Sequence, residues 1–455
     1  MKVVKFGGSS LATGAQLEKV FKIVTSDPER TVVVVSAPGK RNAEDTKVTD
    51  LLINCAKQYL LFGEAPELVE SIVSRYADIA DELGLSNDVI NLIRSDLCQL
   101  LEGDQQDPSR YIDSIKASGE DHHAKLVAAY FRHQGADAHY VSPKDAGLFV
   151  TSEPGNAQVQ PESYQNLSKL KKQQGIIIFP GFFGFNHHGD MITFSRSGSD
   201  ITGSILANAL KADLYENFTD VDAVYSVNPS IVSNPKEIRE LTYREMRELS
   251  YAGFSVFHDE ALIPAYRADI PVQIKNTNNP DAEGTTVVPK RDSTNGPVIG
   301  IASDSGFCSI YISKYLMNRE IGFGRRVLQI FEDDRLTYEH IPSGIDDITI
   351  ILRQDQMDET IENRMIKRIK DELDADEVIV EHHIALVMVV GQAMRHNVGT
   401  TARATKALSD AQVNIEMINQ GSSEVSIMFG VKEAQEKQAV IALYKAFFEK
   451  ALITE

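Results

Sequence analysis

Three runs of this 455-residue chain gather residue types that handle anionic groups. The first, Lys5-Phe6-Gly7-Gly8-Ser9-Ser10, follows the β-branched pair Val3-Val4 and precedes a helical pattern that begins near Gln16. Glycines allow backbone amides to close on a charged ligand, and the lysine adds a point charge for phosphate. The run matches neither GxxxxGK[ST] nor GxGxxG, so an ordinary strand-to-helix turn accounts for it about as well as a phosphate site does. The second, Phe194-Ser195-Arg196-Ser197-Gly198-Ser199-Asp200-Ile201-Thr202-Gly203-Ser204, opens an apolar helix at 205–210. Arg196 offers a planar fork for a carboxylate, and hydroxyls and amides at a helix N-terminus favour an anion. A capped helix with an incidental arginine is the plainer reading. The third, spanning 219–229 with Thr219, Asp220, Asp222 and Tyr225, follows a short strand at 214–218. Acidic residues at the C-terminal end of a strand suit the crevice where open α/β sheets bind ligands, although a solvated turn looks the same.

Those runs need a scaffold to bring them together. Stretches rich in β-branched residues at 31–36, 138–142 and 176–179 alternate with longer helical patterns, which predicts an α/β domain around a mostly parallel sheet. The stretch 45–132 reads as helical at length, so a helical excursion placed to cover a site is expected there. The polar, turn-forming segment 289–297 reads as a linker. Beyond it one pattern occurs twice. A strand at 308–314, a helix at 324–333 and strands at 336–341 and 347–353 are followed by equivalents at 384–391, 400–410, 413–419 and 424–431, with a last helix at 434–448. Two βαββαβ units fit this spacing.

Composition narrows the function. The formal net charge of -19 disfavours nonspecific binding to nucleic acid or anionic membranes, so neither is expected as a partner. No apolar run approaches the roughly 20 residues of a membrane span, and the N-terminal residues lack the apolar run of about 7–15 that a secretory signal carries. A cytoplasmic location is expected. Cys55, Cys98 and Cys308 are far apart and form no CxxC pair, which argues against a disulfide framework or structural zinc. The pairs His122-His123, His187-His188 and His382-His383 would face opposite ways on a strand and lack a third ligand at a usable spacing. They read as surface or core residues, and no protein metal site is expected.

Taken in order, the three runs resemble the aspartate kinases of the amino acid kinase superfamily, most closely the lysine-sensitive class of Bacillus-like bacteria. The resemblance covers nearly the whole chain, because Ser118-Gly119-Glu120 precedes the arginine run and the two repeated units are similar to ACT domains. It implies a carbamate kinase-like three-layer αβα sandwich over 1–292, followed by two α+β ferredoxin-like ACT domains over 300–375 and 376–455. It also implies transfer of the γ-phosphoryl group of ATP to the β-carboxylate of L-aspartate, giving 4-phospho-L-aspartate and ADP at the entry to lysine, threonine and methionine synthesis. Lys5, Gly7 and Gly8 would hold the migrating phosphoryl group, Asp200 would orient the lysine, and Ser36 in Ser36-Ala37-Pro38-Gly39 would line the site. Glu120 would face the substrate ammonium and Arg196 its α-carboxylate, with Phe182, Thr193 and Ser199 completing that pocket. Lys5, Gly8, Ser9, Thr219, Asp220 and Tyr225 would contact the nucleotide. The chain departs from its relatives at Ser255, where many carry a nucleotide-binding lysine, and at Ser230, where a phosphate-binding arginine is common.

A carboxylate is already ionised and nucleophilic at neutral pH, so the implied reaction asks for alignment and charge neutralisation rather than a general base. Mg2+ would arrive with ATP, held by the phosphates and water. In the first ACT-like unit, Met317, Phe323, Ser343, Gly344, Ile345 and Asp346 occupy the region where relatives bind effector. In the second, Asn414-Ile415 and Gln420-Gly421-Ser422-Ser423-Glu424 resemble the ACT strand-turn signature. The resemblance thus implies feedback by lysine and/or threonine and a homo-oligomer, a dimer through the ACT domains. Two alternatives remain at this point: a related kinase acting on glutamate, and a non-catalytic amino-acid sensor suggested by Ser255 and Ser230.

Overall fold

The computed structural model describes residues 1–254, 259–292, 296–421 and 425–449. Ser255, Ser422, Ser423 and Glu424, singled out above, lie outside the described residues. The chain forms two compact units, the first built from Met1–Val224, Glu237–Met246 and 259–291, the second from Tyr225–Lys236, 247–254 and the described residues from Asp292 onward.

The first unit is organised by an eight-stranded sheet. Its strands run in the spatial order Glu240–Thr242, Thr285–Val288, Val272–Asn276, Leu214–Thr219, Lys2–Phe6, Arg30–Val35, Ile176–Pro180 and Ala138–Tyr140. Every neighbouring pair is parallel except Val272–Asn276 with Thr285–Val288. The run Val32 to Val35 is fully buried, as a central strand covered on both faces requires. On one face, Val4, Phe6, Val33 and Val35 share a core with the helices Gly14–Thr25, Val48–Phe62, Pro66–Glu82, Asp88–Leu101 and Pro108–His133. Four of these are the helical excursion read from 45–132. The longest begins where Asp107 accepts from the amides of Ser109 and Arg110 and Pro108 takes the first helical position. The helix Gly198–Leu210 packs on the sheet as well, against Lys2–Phe6 and Leu214–Thr219.

From Lys2–Phe6 the chain first builds outward on one side, to Arg30–Val35, and later returns on the other, to Leu214–Thr219. That reversal makes a topological switch point at the C-terminal ends of these strands, where open α/β sheets hold ligands. Phe6 and Phe218 are paired in register and stack with ring centroids 4.9 Å apart, which fixes the strand ends that lead into Gly7 and Thr219.

The second unit carries a five-stranded antiparallel sheet in the order Asp347–Arg353, Gly300–Ser313, Glu377–Val390, Ser426–Lys432, Met417–Asn419. Two cores form on it. Cys308, Ile310 and Ile312 pack with the helices Phe323–Asp333 and Glu359–Leu373, while Ala385, Val387 and Val389 pack with Thr400–Asp410 and Glu436–Phe448. The long strand Gly300–Ser313 serves both. Its register against Glu377–Val390 shifts between Asp304 and Phe307, and Ile301, upstream of the shift, belongs to the second core. The expected strand at 336–341 is not formed. The amides of Glu339 and His340 both turn to the carbonyl of Ile351, a bulged arrangement that leaves only an isolated bridge at His340.

Candidate active site

The switch point of the first unit opens into a cleft of about 1120 Å³ lined by Lys5, Gly7, Gly8, Ser36, Glu120, Phe182, Arg196, Ser199 and Asp200. Residues far apart in sequence thus share one wall. Lys5 projects from the central strand, and its Nζ lies 2.6 Å from Oδ1 of Asp200 in the first turn of Gly198–Leu210. Asn217 donates to the same oxygen at 2.9 Å. All three side chains are nearly buried, so the ammonium is held in one place by a carboxylate that is itself tied down.

Beside the lysine two loops meet at glycines. Gly39 N donates to Gly8 O at 2.9 Å, and a Cβ on Gly39 would lie only 2.5 Å from the carbonyl carbon of Gly8. The amides of Gly8 and Ser9 open the short 3-10 turn Gly8–Leu11 and have no acceptor within it, which leaves them for an anion. Gly7 differs from its expected role as a donor: its N–H is already given to Phe218 O at 3.1 Å, because strand pairing continues one residue past Phe6. The loop carrying Ser36 to Gly39 is fastened from behind. Arg75, buried, donates to Gly39 O and to Thr46 O at 2.7 Å each, and sits 3.2 Å from Asp45. His123 Nδ1 donates to Ser36 O at 2.8 Å, which fixes the ring tautomer.

His122 and His123 lie on the helix Pro108–His133 rather than on a strand, and both are in the core. Burial pulls each down to about 4, so both rings are neutral at physiological pH. Glu120, on the same helix, accepts from Ala37 N–H at 3.0 Å through Oε1, while Oε2 has no partner among the described residues. Burial pushes its carboxyl up to about 8. A buried acid with one unmatched oxygen in the wall of a cleft is suited to a cationic ligand group, whose arrival would favour the ionised form. Arg196, exposed at the mouth, forms no ion pair among the described residues, and its neighbour Ser195 is tied to Glu260 by a 3.0 Å hydrogen bond. The fork is therefore available for a carboxylate.

Between these groups the backbone is strained. Phe182 has φ 77° and Ser197 φ 59°, each costing about 1–3 kcal/mol for a residue with a side chain. Phe182 N–H is accepted by Thr202 Oγ1 at 3.0 Å, and Gly198 leaves room for the Phe182 ring, which a Cβ there would meet at 2.4 Å. Thr193 was expected in the pocket but is fully buried. Its hydroxyl and amide both go to Asp113, at 2.5 and 2.7 Å. The cleft also takes in Lys47, Thr49, Asp50 and Lys116, which the sequence reading passed over. Lys116 had a usable signal, since it precedes Glu120 by four residues and shares its helix face.

Thr219, Asp220 and Tyr225 are not among the residues that line the cleft. Thr219 Oγ1 pairs with Asp220 Oδ1 at 3.1 Å at the end of its strand, and Tyr225 begins a segment grouped with the second unit. Ser9 is exposed on the 3-10 turn. In the second unit, Met317 and Phe323 are core residues, whereas Ser343 and Gly344 line a cavity of about 520 Å³. Asp346 Oδ1 accepts from Leu316 N–H at 2.8 Å and Ile345 O from Asn318 N–H at 3.1 Å, so the two loops expected to take effector are joined. Among the described residues, no group of three His, Cys, Asp or Glu is arranged to hold a metal ion, and no helix is long and apolar enough to cross a membrane.

Comparison with known proteins agrees in outline. The profile of the amino acid kinase family matches residues 1–276 and that of an ACT domain matches 387–447. The chain is 77% identical to aspartokinase 3 of Bacillus subtilis over 100% of both sequences. The crystal structure of Clostridium acetobutylicum aspartate kinase superposes with a TM-score of 0.88 at 35% identity, over 98% of this chain and 100% of that one. Escherichia coli aspartokinase III is similar in two states. Its R-state complex with aspartate and ADP gives a TM-score of 0.79 at 25% identity, and its T-state complex with lysine and aspartate gives 0.77 at 26%, each over 99% of this chain and 100% of that one.

Proposed function

The chain belongs to the aspartokinases of the amino acid kinase family, ATP-dependent kinases acting on the carboxyl group of aspartate, and from that premise we propose how its residues divide the work. Lys5, aimed by Asp200 and Asn217, neutralises charge on the migrating phosphoryl group, with the Gly8 and Ser9 amides cradling the phosphate oxygens and Ser36 beside them. Glu120 receives the substrate ammonium and Arg196 its α-carboxylate, with Ser199 and Phe182 shaping the pocket. The β-carboxylate is then directed at the γ-phosphorus, and attack needs no base because the nucleophile is already ionised. Thr219, Asp220 and Tyr225 contact the nucleotide, and Mg2+ enters with ATP on its phosphates. The observation that carries this reading is that Lys5, Asp200, Glu120 and Arg196 line one cleft.

The kinase domain is assigned to 1–292 and two ACT domains to 300–375 and 376–455, the second drawing Ile301 of the shared strand into its core. Lysine and/or threonine binds at Ser343, Gly344, Ile345 and Asp346, with Met317 and Phe323 in the core beneath, a reading supported by the lysine complex of the Escherichia coli relative. Tyr315, Ile321 and Ile345 are largely exposed beside those loops, apolar surface of the kind that a second copy would cover in a dimer through the ACT domains. The enzyme works in the cytoplasm.

Coupled ADP release, with hydroxylamine trapping the acyl phosphate, tests the acceptor. Aspartate should turn over about 10–200-fold faster than glutamate, whose side chain is one methylene longer, and equal rates would overturn aspartate as the preferred acceptor. Lysine, threonine and both together, added to the same assay, test the effector reading.

A further inference from the structure

We propose that Lys116 is a further binding residue for the acceptor amino acid, presenting its ammonium to the substrate α-carboxylate beside Glu120. Lys116 lines the cleft, with its side chain only 17% exposed. Its Nζ is 2.7 Å from Oδ1 of Asp113 and 5.3 Å from the centre of the Phe182 ring. That ring belongs to one of the two strained residues of the cleft wall.

The carboxylate behind Lys116 is unusually well anchored. Asp113 is buried and accepts from Thr193 Oγ1, from Thr193 N–H and from Gly155 N–H at 3.2 Å, besides facing Lys116. Gly155, itself on the cleft, adopts φ 75°, and a Cβ there would come within 3.9 Å of Lys116 Nζ. The Gly155 loop, the short strand Met191–Thr193 and the helix Pro108–His133 thus converge to hold one ammonium at the cleft surface. A lysine ammonium has three donors and Asp113 occupies one, so donors remain for a ligand.

The position selects which substrate group is met. Lys116 and Glu120 stand one helical turn apart on the same face, with Cβ atoms about 5–6 Å from each other. In an α-amino acid the ammonium and α-carboxylate share one carbon. An acceptor whose ammonium meets Glu120 therefore brings its α-carboxylate to the neighbouring cation, while its side-chain carboxylate extends towards Lys5. Lys116 also lies close enough to Glu120 to favour that residue's ionised form, the state an ammonium requires. On this reading Arg196 and Lys116 grip the α-carboxylate together.

The inference rests on the acceptor site proposed above, which Arg196→Met with Lys116 unchanged tests independently through its own KM for aspartate. In Lys116→Met the KM for aspartate should rise about tenfold to a hundredfold, the usual worth of a hydrogen bond to a charged group, while the KM for ATP stays within twofold. Lys116→Arg should restore most of the loss. Lys116→Met leaves Asp113 buried without its cation, so the double variant Asp113→Asn/Lys116→Met, which removes both charges, serves as the folding control and should show the same rise. An aspartate KM within twofold of wild type in the folded double variant, or a fall confined to kcat, would overturn the proposal.

Discussion

Lys5 Nζ rests 2.6 Å from Asp200 Oδ1, joining the central strand to the first turn of the helix Gly198–Leu210. The contact does more than pair charges: with Asn217 on the same oxygen it leaves the ammonium one direction in which to act, into the cleft. Preorganised charge of this kind lowers a barrier without reorganisation at the moment of reaction. Asp200→Asn is therefore expected to cut kcat about 10²–10³-fold. It should also destabilise the kinase unit by about 3–5 kcal/mol, because Lys5 is left buried and unpaired. Adding Lys5→Met should recover the melting temperature but not the rate. A double variant as unstable as the single one would show that the pair is not what Asp200 supplies.

Gly8 and Gly39 touch backbone to backbone, and the closeness sets how tightly two loops can fold around a phosphate. Gly39→Ala would place a methyl 2.5 Å from the Gly8 carbonyl carbon. The loops must part, and displacement of about 1 Å at a reacting centre can cost 10²-fold in rate. Turnover should fall on that scale with the circular dichroism spectrum unchanged; a variant with more than half of wild-type kcat would refute the argument.

Stability should carry a pH signature from the buried groups of the helix Pro108–His133. Burial raises Glu120 from 4.5 to about 8 and lowers His122 and His123 from 6.5 to about 4. Between about pH 4 and 6.5 the unfolded chain binds the histidine protons that the folded chain refuses, so that contribution grows with pH. From about pH 4.5 to 8 the folded chain keeps the Glu120 proton that the unfolded chain has released, so that contribution shrinks with pH. For these three groups the net slope is positive up to about pH 6.5 and negative from there to about 8. Glu120→Gln removes the falling limb. Its apparent melting temperature should gain on wild type between pH 6.5 and 8, and parallel curves would contradict the assignment.

How far could the sequence alone have gone? Lys5, Gly8 and Arg196 are legible as members of an ordered set of runs, because each run alone also fits an ordinary turn or a capped helix. The strands 30–35 and 176–180 were readable from their β-branched runs, since burial on both faces leaves no polar alternation to obscure them. Other features depend on partners that no local window contains. The resemblance places Thr193 in the pocket, but Asp113 takes both its donors. Gly7 reads as a free amide until Phe218 is placed beside it. The strand expected at 336–341 failed for a similar reason, because Ile351 draws two successive amides and bulges the chain.

The effector loops offer a separate test. Asp346 accepts from Leu316 N–H, and Leu316 is held at φ 61°, so the carboxylate keeps the 314–319 loop against the 345–346 turn. Asp346→Ala should raise the lysine or threonine concentration needed for half-inhibition about tenfold, a coupling loss of about 1.4 kcal/mol. An unchanged inhibition curve would place the effector elsewhere.

The central claim is that one buried lysine, aimed by a carboxylate, neutralises a phosphoryl group on its way to an aspartate held by Glu120 and Arg196. Single-turnover ADP formation in Lys5→Met, alongside calorimetric titration of aspartate into the same variant, tests it most directly. The account predicts aspartate affinity within threefold of wild type and a rate reduced about 10²–10³-fold. Turnover within tenfold of wild type would contradict it.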